Sequence, residues 1–323
     1  MAHNLEIKDG VASLAYAGAR PWHRLGRAVA STMTPREALV AGSADYIVSA
    51  RPVLTPEGKT IEGHRAIVRD DTGEPLGLVK GKYTILNNED AFLPLFDGIG
   101  KDLAVIETCG VLGKGERAWM MARVPETIEA KPGDPVEPWL LAHTSHDGSA
   151  TFSCAFVMVR CVCQNTVQAA LRGARSVVRL RHTKNIKNAA ALVLDVLGAS
   201  AEYRRRFAEA ARRMARADVN RAAVEKFLRD TFPDKVDENG KVIPTASVLK
   251  AREETFRIFE SEPTTRHAGE NAWGLLQAAT HYVDHVRPLR KGADRWEASV
   301  FGPGVAIRQR AFDAALALAG PSS

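Results

Sequence analysis

Residues 151–187 read TFSCAFVMVRCVCQNTVQAALRGARSVVRLRHTKNIK, and the reading of this stretch decides the fold. In its first thirteen residues Phe152, Cys154, Phe156 and Met158 fall on one alternating face. Ala155, Val157, Val159 and Cys161 fall on the other. A run that is apolar on both faces predicts a strand covered on both sides. Asn165 is of the type that caps a helix and Gly173 of the type that ends one, so a short helix is expected through residues 169–172. Beyond it residues 176–183 alternate again, with Val178 and Leu180 inward and Arg179 and Arg181 outward. Alternate residues of a strand stand about 6.5–7 Å apart, close to the spacing of phosphates along a nucleic-acid strand. A buried strand therefore feeds a basic edge, and the competing reading of that edge is an ordinary solvated strand.

The rest of the chain is read outward from there. Its 323 residues, 45% apolar and 25% charged, suit an ordinary globular protein of one large or two medium domains. No apolar run is long enough to span a bilayer, and residues 1–10 carry no apolar signal core. A cytoplasmic protein with no membrane partner is expected. Cys109, Cys154, Cys161 and Cys163 have neither a disulfide framework nor the spacing of a zinc site, and read as reduced thiols packed as small hydrophobes. The net charge is +6, but residues 172–229 alone hold fifteen Lys/Arg against five Asp/Glu, a local excess of +10. Such a block calls for an anionic partner.

Before the central strand the pattern is strand-rich. Thr34, Pro35 and Glu37 spell a capped helix start, with the helix running to about Gly42. Strands are expected at residues 46–54, 66–70, 76–80, 103–112, 117–124 and 139–144, and a helix capped by Asn88 at 89–96. Trp22 and His23 read as an anchor for the N-terminal arm. After residue 184 the period becomes helical. Leu192, Val196, Tyr203, Phe207 and Met214 mark one apolar face. Thr245 caps a helix with Val248, Leu249, Thr255, Phe256 and Phe259 as its stripe, and further helices are expected at 271–286 and 305–318. The expected fold class is α+β: a mostly antiparallel sheet with short helices over residues 1–183, then a helical region over 184–323 packed on or beside it.

Several motifs taken together resemble a known family. They are Pro21-Trp22-His23-x-Leu25-Gly26, Ser145-His146-Asp147-Gly148-Ser149, the run from Val159 through Thr166, Arg181-His182-Thr183, Trp273-Gly274-Leu275-Leu276 and Tyr282-Val283-Asp284-His285. In this order they resemble the phage- and plasmid-associated bacterial proteins that carry domain of unknown function 932. Cys161 and Cys163 depart from that pattern where a Val is expected. The resemblance implies a setting in mobile-element DNA metabolism and supplies no reaction, so function has to come from sites.

Four groups of residues are weighed for chemistry. Arg172, Arg175, Arg179, Arg181, His182, Lys184 and Lys187, continued by Arg204, Arg205 and Arg206 and echoed by Arg212, Arg213 and Arg216, can track a phosphate backbone. Glu202 and Glu209 stand among them, so part of this charge is expected to pair locally. His281, Asp284 and His285, at i, i+3 and i+4, share a helix face and can meet a metal if a third ligand such as His143, His146 or Asp147 joins them. Gly113-Lys114-Gly115 joins two strands and reads as a hairpin turn rather than a phosphate loop. Ser145, His146 and Asp147 read as a turn stabilised by its own side chains, because adjacent side chains diverge.

The expectation is a non-enzymatic protein of phage or plasmid DNA metabolism that binds nucleic acid, single-stranded DNA above all, in a role like that of recombination-associated annealing proteins, with no cofactor and as a homo-oligomer. Two alternatives stay open. One is a protein-binding factor directed at a host or phage component; the other is a metal-dependent hydrolase or nuclease built on His281, Asp284 and His285.

Overall fold

The computed structural model describes residues 5–17, 25–29, 33–99, 104–160, 165–167, 177–182, 189–289, 298 and 302–320. The first elements are β1 (Ile7–Lys8), β2 (Val11–Ala12), β3 (Leu14–Tyr16), β4 (Arg27–Ala28) and α1 (Pro35–Ala41). There follow β5 (Val48–Leu54), β6 (Thr60–Arg69), β7 (Pro75–Lys80), α2 (Asn88–Ile99), β8 (Val105–Leu112) and β9 (Arg117–Arg123). Then come β10 (Ile128–Glu129), β11 (Pro135–Ser145), β12 (Phe152–Arg160), β13 (Asn165–Val167) and β14 (Val177–Leu180). Helices α3 (Ala189–Arg216) and α4 (Arg221–Thr231) lead to a hairpin, β15 (Lys235–Val236) and β16 (Val242–Ile243). The chain continues through α5 (Ala246–Ser261), α6 (Pro263–Ala268), α7 (Ala272–His281), a π-turn (Tyr282–Val286) and α8 (Gly304–Leu318). Strands come first and helices after: the fold is α+β.

The central strand behaves as its sequence dictates. β12 lies between β11 on one side and β13 and β14 on the other, in a sheet ordered β13-β12-β11-β9-β8-β3-β4. All its described pairings are antiparallel except β3 with β4. Phe152, Cys154, Phe156 and Met158 are fully buried toward the helices, and Ala155 and Val157 are buried on the opposite face with Leu14, Trp119 and Leu141. One expectation fails here. Asn165 opens no helix; residues 165–167 pair with Met158–Arg160 as a strand. The free edge of β12 offers hydrogen-bond partners that outweigh a local capping preference. Residues 161–164 and 168–176, including Arg172 and Arg175, lie outside the described residues, as do Trp22, His23, Lys184 and Lys187.

The sheet's inner face and the helices share one core. Tyr203, Phe207 and Met214 of α3, Trp273 and Leu276 of α7 and Phe312 of α8 join Cys154, Phe156 and Met158 in a continuous apolar cluster. Phe207 is its hub, with ring centroids 6.3 Å from Trp273 and 6.0 Å from Phe312. Thr34 and Glu37 close the capping box of α1, and Thr245 caps α5 through the Val248 amide. Asn88 is no cap. It lies inside α2, fully buried, and its side chain bonds elsewhere. The stripe of α5 also differs from expectation: Ala251, Thr255 and Ile258 are buried, while Leu249 and Phe256 are exposed.

A second sheet, β5-β6-β7, is fastened to the first by a buried cation. Arg69 is 1% exposed, ion-paired with Glu6 and with Asp71 (2.7 Å), and its guanidinium sits 3.9 Å from the Tyr46 ring centroid. It also donates to the Lys114 carbonyl at 3.1 Å, while Tyr46 Oη donates to the Gly115 carbonyl at 2.7 Å. The Gly113-Lys114-Gly115 turn is thus a docking point for the small sheet, and Lys114 pairs with Glu74. A buried charge of this kind specifies an arrangement more than it adds net stability.

Candidate nucleic-acid interface

Three segments that are distant in sequence meet where the small sheet joins the large one. Residues 145–149 form a turn after β11 whose Asp147 Oδ1 accepts from Ser145 Oγ (2.5 Å), Ser149 N (2.9 Å) and Ser149 Oγ (2.5 Å). β7 runs directly beneath it. A Cβ on Gly77 would stand 2.5 Å from Asp147 Cα, so only glycine permits this approach. Past the end of β7, Tyr83 donates its hydroxyl to the Ser145 carbonyl at 2.9 Å. The third segment is the end of β14 and the two residues after it. Thr84 N–H donates to the His182 carbonyl at 2.9 Å, and the His182 ring stacks on Tyr83 with centroids 4.8 Å apart and planes 9° from parallel.

The two histidines of this junction are buried and neutral. His182 Nδ1 lies 3.3 Å from the Thr84 carbonyl, an acceptor only, so Nδ1 carries the hydrogen. His146 Nε2 donates to Asn88 Oδ1 at 2.9 Å, the Asn88 amide being oriented by its own donation to the Ala44 carbonyl at 2.8 Å. Burial pushes His146 down to about 3, with the neighbouring His182 and Arg69 acting the same way and Asp147 opposing them. Burial also lowers His182, against the Thr84 bond and Asp147. Burial raises Asp147, but hydrogen bonds from Ser145 and Ser149 and the charge of Arg117 outweigh it, so its carboxyl titrates below the usual range. The turn is therefore held by its own side chains, as expected. Its His146 belongs to a buried polar clasp between the two sheets.

Near this clasp lies a group of exposed cations. Lys80 ends β7 opposite His64 of β6, and Lys82 is two residues on; Arg65 is paired with Val79, so its side chain leaves the face of the small sheet opposite to that of Lys80. Arg181 adjoins the stacked His182. Arg65, Lys80, Lys82 and Arg181 are all exposed, and among the described residues none has an ion-pair partner. Glu62 is an exposed carboxylate of the same strand as Arg65.

The other sequence candidates are placed as follows. Arg179 lies in β14 opposite Ser153 of β12. Arg204, Arg205 and Arg206 do not form an open track. Arg204 pairs with Glu126 at 2.8 Å, Arg205 with Glu202 at 2.8 Å, and Arg206 with Glu202 at 2.5 Å. Glu202, bonded by both arginines, is held down at about 2. His281 and His285 are neighbours, with ring centroids 4.6 Å apart, but the π-turn aims Asp284 at the buried Arg308 instead of at them. Among the described residues no group of three or more His, Cys, Asp or Glu is placed to hold a metal. Cys109 and Cys154 are buried free thiols whose pKa values burial raises, Cys154 to about 12.

Sequence reading missed Lys80, Lys82 and Arg65. The available signal was Lys80-Gly81-Lys82-Tyr83, two cations flanking a turn and followed by an aromatic residue.

Residues 75–300 match the model of a domain of unknown function, DUF932. The chain belongs to that family. The matched span takes in β7, the 145–149 turn and residues 181–182, so the whole junction except Arg65 lies inside the family domain. No curated protein and no solved structure matches the chain. No helix among the described residues is long and apolar enough to cross a membrane.

Proposed function

We propose that this protein binds single-stranded nucleic acid without catalysing a reaction on it, in phage or plasmid DNA metabolism. The observation that carries this reading is a group of four exposed cations near the clasp, Arg65, Lys80, Lys82 and Arg181, on both faces of the small sheet and at the end of β14, without carboxylate partners among the described residues. Cations already paired with carboxylates release few counterions when phosphate arrives, whereas these four are available to do so. The clasp fixes the segments that bear them, which lowers the ordering cost of binding. Aromatic side chains are few, 7% of the chain, so backbone contact dominates over base stacking in this proposal. Arg172, Arg175, Arg179, Lys184 and Lys187 flank these residues in sequence.

The test is fluorescence anisotropy with labelled single- and double-stranded DNA over a salt series. Binding should favour the single strand. A Lys80→Gln/Lys82→Gln variant should lower the salt slope by about 1.4, or roughly 0.7 per lost phosphate contact. No binding at low salt would sink the proposal.

One observation favours the protein-partner alternative. Leu249 and Phe256 are exposed on α5 beside a cleft of about 480 Å³ lined by Phe256, Phe259, Glu260, Arg266, Gly269 and Glu270. A half-apolar cleft of this kind suits a peptide side chain rather than a phosphate. Retention of a protein partner with no DNA binding would select that reading.

A further inference from the structure

The sequence singles out Arg212, Arg213 and Arg216 at the end of α3, and the exposed group described above uses none of them. Arg213 turns away and donates to the Gly320 carbonyl. Arg212 and Arg216 line a cleft of about 300 Å³ together with Glu129, Ala130, Lys131, Pro132 and Ala215. We infer that this cleft is a binding site for a phosphoryl group.

Three cations face one carboxylate in the cleft, leaving an excess of +2 in a space at the lower end of the range for small-ligand sites. Arg212 is already oriented. Its Nε donates to the Glu129 carbonyl at 3.2 Å, which leaves both terminal nitrogens to make the paired contact that a guanidinium offers a phosphate. Lys131 and Arg216 have no ion-pair partner among the described residues.

Both walls of the cleft are built rigidly. Lys131 sits in a turn closed by Asp134 N–H to its carbonyl at 3.0 Å. That turn is pinned twice from the helical side: Trp273 Nε1 donates to the buried Asp134 at 2.8 Å, and His267 Nε2 to the Gly133 carbonyl at 3.0 Å. The opposite wall is the last turn of α3. Arginines there commonly serve the negative end of the helix and its open carbonyls. Here other groups take that task. Asn271 Nδ2 donates to the Ala215 carbonyl at 3.0 Å and Ala272 N–H to the Ala217 carbonyl at 2.9 Å. With the carbonyl ends met from α7, the guanidinium of Arg216 and the terminal nitrogens of Arg212 stay available to an anion.

The phosphoryl group has two sources, a free nucleotide or the backbone of a nucleic acid, and the site stands whether or not Lys80 and Lys82 bind DNA. Isothermal titration of the whole chain with inorganic phosphate, in chloride buffer, tests it. The expected result is saturable one-to-one binding, weakened at least tenfold in Lys131→Gln/Arg216→Gln and intact in Lys80→Gln/Lys82→Gln. These positions are exposed or half-buried, so the variant should keep the thermal midpoint of the parent, and an unchanged midpoint certifies the comparison. If the paired substitution lowers the midpoint, Arg216→Lys, which keeps the charge but loses the fork, replaces it, with a severalfold loss expected. Mononucleotide binding tighter than phosphate assigns a free nucleotide. Equal binding, with oligonucleotide affinity falling in the same variant, assigns a backbone phosphate. No saturable phosphate binding, or binding unchanged by the substitutions at Lys131 and Arg216, overturns the site. DNA binding lost only in Lys80→Gln/Lys82→Gln bears on the exposed group alone and leaves this site to be judged by its phosphate titration.

Discussion

His182 and Tyr83 lie ring against ring, 4.8 Å between centroids and 9° from parallel, and this contact ties the end of β14 to the end of β7. Removing the Tyr83 ring should therefore weaken this tie, while the two Thr84–His182 hydrogen bonds keep the segments adjacent. Tyr83→Phe loses only the hydroxyl bond to Ser145, a change of about 1 kcal/mol. Tyr83→Ala loses the stack as well and should cost about 2–3 kcal/mol. Urea denaturation of the two variants measures the difference. Equal losses would show that the stack contributes nothing.

The buried clasp also sets a pH response. The folded-state pKa of His146 lies far below its unfolded value, pushed down to about 3 by burial. Such a group leaves the fold unpenalised above about pH 6.5 and destabilises it as pH falls, by about 1.4 kcal/mol per unit until the folded value is reached. Between pH 7 and pH 5 its contribution is about 2 kcal/mol. His146→Gln should be less stable than the parent at pH 7 and should lose less on acidification. His182 is lowered by the same burial, so the readout is the difference between parent and variant, not the parent slope alone. Parallel curves would remove His146 from the response.

Neutralising Arg205 and Arg206 together should leave the salt slope of any DNA binding unchanged, because Glu202 and Glu209 already balance them. Their pairs are exposed to solvent and screened, so the substitutions should leave stability nearly unchanged. A slope reduced as much as in Lys80→Gln/Lys82→Gln would restore them to the interface.

Asp284 and Arg308 form a buried ion pair, side chains 10% and 0% exposed. Asp284→Asn removes the negative charge of this buried pair, so it should cost about 3–5 kcal/mol in chemical denaturation. A loss under about 1 kcal/mol, accompanied by release of a bound metal, would reopen the ligand role of this residue.

What was legible in the chain was local. The two-faced run from Phe152 to Met158, the Thr34 capping box, the Thr245 cap and the Gly113-Lys114-Gly115 turn each carry their cause within a few residues, and each forms as read. What failed depends on partners far along the chain. Asn165 becomes a strand because β12 has an edge to fill. Arg204 leaves the basic track because Glu126 of another segment reaches it. Lys80 and Lys82 gain significance only when residues 181–182 fold against Tyr83 and Thr84. The i, i+3, i+4 spacing of His281, Asp284 and His285 assumed a regular α-helix, and the π-turn changes the direction in which Asp284 points.

The core shared by sheet and helices has a consequence during synthesis. Phe152, Phe156 and Met158 are complete long before the residues that cover them, of which Phe312 is the last aromatic one made. At about 5–20 residues per second the ribosome needs about 8–30 s to travel from Met158 to Phe312. For that interval the apolar strand face lacks its full native cover, and its pairing with other nascent chains competes with folding. Slower elongation prolongs this exposure, so yield of folded protein should depend on the rate at which the helical half is translated as well as on final stability.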